Sequence, residues 1–149
     1  LYVGGGKVNA WAANAPAFHS LERVRFKGEV PFEVRSVKAL VDGFELTFTK
    51  PVDKELAKAI DGFDVWQHKY KFHKNYGSPE YDHDGKKDSF TVIDVKEVSV
   101  SGDLLKVSLK LDGWKAGYVT GVRGLDIRSA RGFKLWHDTF YYTLNRIPK

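Results

Sequence analysis

Phe44–Thr49 reads FELTFT and Leu105–Leu111 reads LKVSLKL, and these two stretches decide the fold class. In each, apolar and polar residues alternate. A β-strand sends successive side chains to opposite faces, so such a stretch offers one face to a core and one to water. Phe44, Leu46 and Phe48 are therefore expected to face inward, as are Leu105, Val107 and Leu109, with Glu45, Thr47 and Lys106 in solvent. Turn chemistry bounds both stretches. Gly43 precedes the first and Pro51 follows it; Ser101-Gly102-Asp103 precedes the second and Asp112-Gly113 follows it.

The same grammar recurs outward. Val34–Val41 reads as a strand with an irregularity near Ser36. Asp53 caps a short helical turn over Lys54–Ile60, because its carboxylate can accept the free amides of the first turn. Ala57 and Ile60 would tuck that turn against the sheet. Phe63–Phe72 reads as one strand, with Trp66, His68, Tyr70 and Phe72 on one face and Gln67, Lys69 and Lys71 on the other. Trp66, Tyr70 and Phe72 are expected to fill the core. Asn75–Ser89 is a long polar loop. Phe90–Val100 returns as a strand, Tyr118–Val122 is a short one, and Gly132 turns the chain into Thr139–Leu144. Trp114, Trp136 and the Phe140–Tyr142 run are expected to hold two sheets together. About seven short strands at regular spacing, with turn residues between them and one short helical turn, predict an all-β fold, a sandwich or a barrel.

Residues 1–31 differ in composition. LYVGGG is a short strand running into glycines, NAWAANAPAF is a connection, and LERVRF alternates as a strand before Gly28 and Pro31 break the chain. The division expected is an N-terminal strand and connection over 1–31 and the sandwich over 32–149.

Composition narrows the function. There is no cysteine, which excludes disulfides, thiolate catalysis and c-type haem attachment within these residues. The chain starts at Leu1 and holds no methionine, so it reads as processed or excised from something longer. No apolar run approaches the roughly 18 residues that span a bilayer. The net charge of +5 is spread along the chain with no nucleic-acid motif, so neither nucleic acid nor membrane insertion is expected.

Two resemblances add to this. FELTFTKPVD, SGDLLKVSLK and GYVTGVRGLDIRSARGFKL resemble bacterial Ig-like domains of secreted and surface proteins, which implies an immunoglobulin-like antiparallel β-sandwich of about seven strands with one short helical turn. LYVGGG, LERVRFKGEVPF, YGSPEY (76–81) and YYTLNRIP (141–148) are similar to the C-terminal region of large exported bacterial dehydrogenase-like proteins. Those carry a β-propeller like that of quinoprotein glucose or sorbosone dehydrogenases, often with a c-type cytochrome domain. The resemblance implies a periplasmic or extracellular accessory domain that packs on neighbouring domains of its parent, with Leu1–Gly6 as the propeller's tail. It also implies that PQQ and haem c belong to the parent and that this chain holds no cofactor.

Catalytic motifs are absent: there is no G-x-S-x-G elbow and no Walker loop. The chain alone is therefore not expected to be an enzyme. The loop 75–89 is the expected contact surface, through Tyr76, Glu80, Tyr81 and His83. It is longer than a hairpin needs, and Gly77 and Pro79 shape it. Its expected partners are a protein neighbour, then a polysaccharide stacked on aromatics (Trp66, Tyr70, Phe72, Tyr76, Tyr81). A metal is a third possibility, with His73, Asp82, His83 and Asp84 as weak candidates. His68 and His73 are five apart, so an unbroken strand would send them to opposite faces. Asp82-His83-Asp84-Gly85 begins like a calcium loop, but Ile93 stands where an EF-hand needs glutamate.

Overall fold

A computed structural model of the chain describes residues 1–6 and 19–149. Contacts divide it into two units, Leu1–Val30 and Pro31–Lys149. In the first, β1 (Tyr2–Gly6) and β2 (His19–Arg23) pair antiparallel, from Tyr2 opposite Arg23 to Gly6 opposite His19. The Ala/Asn-rich connection expected over 9–18 lies outside the described residues.

The second unit forms two four-stranded antiparallel sheets. One runs β3 (Val34–Ala39), β4 (Gly43–Phe48), β8 (Lys106–Asp112), β7 (Asp94–Val100). The other runs β10 (Thr139–Leu144), β9 (Tyr118–Gly124), β5 (Phe63–His68), β6 (Thr91–Val92). Lettered in chain order, these are the A-B-E-D and G-F-C-C′ sheets of the immunoglobulin fold. The irregularity expected near Ser36 is present as a register shift between Val34 and Ser36. Asp53 caps the helix α1 (Lys54–Lys58), its Oδ1 accepting the amides of Glu55 at 3.0 Å and Leu56 at 3.1 Å.

The core forms where alternation placed it. Phe44, Leu46, Phe48, Val107 and Leu109 are all buried between the sheets. Gly43 opens β4 because no side chain fits there: a Cβ would stand 1.8 Å from the Leu109 carbonyl oxygen across the ladder.

Several inward assignments are corrected. Leu104, not Leu105, packs on the core at the start of β8. Its φ of 59° turns the chain just ahead of the strand, so the strict alternation begins only at Lys106. Ala57 is buried under α1, but Ile60 is largely exposed, because α1 ends at Lys58 and a 3-10 turn over Ile60–Gly62 redirects the chain. Trp136 is exposed, while Trp114, Phe140 and Tyr142 pack against the core. Phe90–Val100 is two strands. The chain leaves β6, buries Ile93, and enters the opposite sheet as β7.

The largest correction concerns β5. Its inward face is Phe63, Val65 and Gln67, so Trp66 stands on the outer face. The strand stops at His68, and Lys69 pairs with the returning Tyr81 through two backbone hydrogen bonds of 2.9 Å. Tyr70 and Phe72 lie beyond the strand and are exposed, Phe72 completely.

Candidate functional site

The outer face of the β10-β9-β5-β6 sheet carries three rows of side chains set by the pairing register. Asp64 lies opposite Arg123 and Thr139; Trp66 opposite Gly121 and Tyr141; His68 opposite Val119 and Thr143. Gly121 is the centre of the arrangement. A Cβ there would stand 2.3 Å from two indole carbons of Trp66, so only glycine lets the indole lie down on the strand. Tyr141 meets that indole edge-on at 5.9 Å, and Phe90 lies 6.4 Å from it on the other strand edge.

Polar groups border these rings. The Arg123 guanidinium donates to the Asp64 carboxylate, which holds the guanidinium pKa above its usual value. At the far end, the Tyr70 hydroxyl is 3.4 Å from Glu80 Oε1 and 3.2 Å from His68 Nε2. Desolvation, then the Glu80 carboxylate, raise the Tyr70 phenol. With the phenol donating to Glu80, His68 Nε2–H donates to the phenol oxygen. His68 is buried, and its Nδ1 is then an acceptor without a donor. Asp64, Trp66, His68, Glu80, Phe90, Arg123 and Tyr141 line a cleft of ≈ 700 Å³ that continues past β6 to Asp94–Lys96 of β7.

The four loop residues singled out by sequence have different places. Glu80 lines this cleft. Tyr76 projects fully into solvent. Tyr81 is partly buried and sits under the Lys71 ammonium, 3.9 Å from its ring centre. His83 points inward. Its Nε2–H donates to Gln67 Oε1 at 2.9 Å, and its ring packs edge-on to Tyr118 at 4.5 Å. Of the metal candidates, Asp82 Oδ1 accepts the amides of Asp84 at 3.0 Å and Lys86 at 2.8 Å, which closes a turn. His73 stands in the exposed stretch after β5. Among the described residues, no three His, Asp or Glu side chains are grouped as a metal site.

Gln67 explains why His83 turns in. It is fully buried, and all of its polar capacity is used. Its Nε2 donates to the Lys115 carbonyl at 3.0 Å and to Thr120 Oγ1 at 2.9 Å. Its Oε1 accepts from the Lys115 amide at 2.8 Å and from His83. One side chain thus ties β5 to β9, to the turn before β9 and to the loop.

Burial, then the Lys115 ammonium, hold the His83 pKa below the ordinary histidine value. A depressed folded pKa means that protonation favours the unfolded chain. The His83 contribution to stability is therefore complete above about pH 6.5 and declines as pH falls below it. Asp82 and Asp103 are also lowered, chiefly by a Lys86 amide and the Ser101 hydroxyl, but they titrate from about pH 4 downward and fall outside this window. Urea unfolding of wild type and His83→Gln at pH 7.5 and pH 5 checks this. The variant is expected to be the less stable at pH 7.5, and the gap to narrow at pH 5. An equal gap at both would remove His83 from the pH dependence.

Sequence reasoning missed Asp64, Gly121, Arg123 and Tyr141 as site residues. A glycine inside a strand pattern signals close approach of another group, and Gly121 was the legible clue.

No protein-family model matches the chain, and no curated protein matches it. Solved structures do. The N-terminal part of the bacterial S-layer protein SbsC is 25% identical with a TM-score of 0.56, over 78% of this chain and 24% of that one. The S-layer protein rSbsC(31-844) is 25% identical with a TM-score of 0.55, over 78% of this chain and 14% of that one. SbsC domains 1-6 are 24% identical with a TM-score of 0.56 and share the fold, over 80% and 14%. The chain thus spans a quarter or less of the proteins it matches.

Proposed function

We propose that this chain is an immunoglobulin-like module of a longer exported, cell-surface protein, working by packing and binding rather than by catalysis. The observation that carries this is the likeness of the sandwich to bacterial S-layer protein chains several times its length. The buried Gln67 and His83 point the same way, because their hydrogen bonds serve cohesion between strand, turn and loop. Neighbouring modules of the same parent are its first partners. In keeping with the sequence resemblance, that parent is a dehydrogenase-like protein whose propeller, PQQ and haem c lie in other segments.

An antibody raised against residues 31–149 tests this on fractionated source cells. The antigen is expected in the periplasmic or external fractions, within a polypeptide much longer than this 16.9 kDa chain. A mainly cytoplasmic antigen, or one no longer than the chain itself, would overturn the reading.

A further inference from the structure

We propose that the cleft on the outer face of the β10-β9-β5-β6 sheet binds a neutral oligosaccharide, with a pyranose ring stacked at Trp66. A sugar ring has an apolar face of C–H groups and an equatorial fringe of hydroxyls. The cleft has both counterparts. Trp66 is fixed against Gly121 and flanked by Tyr141 and Phe90, so the platform is set before a ligand arrives. The Asp64–Arg123 pair lies one row to one side, and the Glu80–Tyr70–His68 chain one row to the other. Both present donors and acceptors beside the rings. A volume of ≈ 700 Å³ falls within the range of small-ligand sites.

Other ligand classes fit less well. The cations in the cleft are already neutralised, Arg123 by Asp64 and Lys96 by Asp94 at 3.2 Å, so nothing favours an anion. A purely apolar partner would strip water from Asp64, Arg123 and Glu80 without replacing its hydrogen bonds. This inference does not rest on where the protein resides. An inert cleft leaves the surface-module reading standing, and a cytoplasmic antigen leaves the cleft standing.

The test titrates cellohexaose, xylohexaose and chitohexaose into the isotope-labelled full chain, following the backbone amide spectrum of β5, β9 and β10, together with the Trp66 indole N–H in wild type, by NMR to about 10 mM sugar, beyond the Kd of even a weak site. At least one hexasaccharide is expected to shift it saturably. Trp66→Ala and Gly121→Ala are expected to weaken binding at least tenfold, and Tyr76→Ala, in the loop, to leave it unchanged. Should either cleft variant fail to fold, Tyr141→Ala and Trp66→Phe carry the comparison, since Tyr141 is 63% exposed and Phe keeps a ring. No saturable shift with any of the three sugars overturns the proposal. So does binding that survives the cleft variants or is lost with Tyr76.

Discussion

Phe44→Ala is expected to lower the stability of the sandwich by about 3–5 kcal/mol. The Phe44 ring is completely buried on β4. It meets Trp114 edge-on at 5.2 Å and Tyr142, on the opposite sheet, at 5.1 Å. Truncation removes the apolar transfer term, both ring–ring contacts and the bridge between the sheets, and leaves a cavity that rigid strands cannot close. Domains of this kind have only about 5–15 kcal/mol in total, so the loss is a large share. Guanidinium unfolding should show a lower midpoint with an unchanged slope. Phe72→Ala is the comparison: Phe72 is equally aromatic but wholly exposed, and its loss should stay within about 0.5 kcal/mol. Equal losses for the two would show that Phe44 does not bridge the sheets and that β5 extends further than described.

Gln67→Leu is expected to cost about 3 kcal/mol although it places an apolar side chain of similar size at a buried position. The substitution strands four polar groups at once: the Lys115 amide and carbonyl, the Thr120 hydroxyl and the His83 Nε2–H. Each such group costs about 1–3 kcal/mol if it stays buried. The sum is smaller because the Lys115 turn and the His83 loop are only partly buried and can reach water by moving. Hydrogen exchange reports where the loss falls. The Lys115 amide, and the His83 amide now bonded to Thr91 Oγ1 at 2.9 Å, should exchange faster in the variant, while those of β4 and β8 change only with global stability. A variant as stable as wild type would mean that the loop and turn are held by packing alone, and that this buried amide is dispensable.

Gln67 also marks where local pattern stops being sufficient. In FELTFT and in Lys106–Leu111 one parity is apolar and the other polar, so alternation alone decides which side chains go in. The turns that bound these strands, and the Asp53 cap, are equally local: each depends on a residue's own backbone preference or on an amide two or three positions away. Repeating this along the chain was enough to reach an all-β sandwich or barrel, and the resemblance to Ig-like domains chose the immunoglobulin-like sandwich. In Phe63–His68 both parities hold apolar residues. Trp66 favours one face and Phe63 with Val65 the other, so a period of two cannot choose between them. The tertiary structure decides it. Gln67 can be buried because Lys115, Thr120 and His83 complete its hydrogen bonds, and Trp66 can lie outside because Gly121 leaves room for it.

The cleft was illegible for the same reason. Asp64 and Trp66 come from β5, Gly121 and Arg123 from β9, and Tyr141 from β10, and only the register of strands distant in sequence sets them side by side. Nor does the spacing of Tyr76, Glu80, Tyr81 and His83 within one loop reveal that one faces solvent, one the cleft and one the interior. Sequence determined the class of fold and the faces of its cleanest strands, because side-chain alternation and turn preference act over a few residues. Only the tertiary structure decided which rings are core and which form a surface, because the balance between burying a ring and satisfying a buried amide depends on partners that the chain brings from elsewhere.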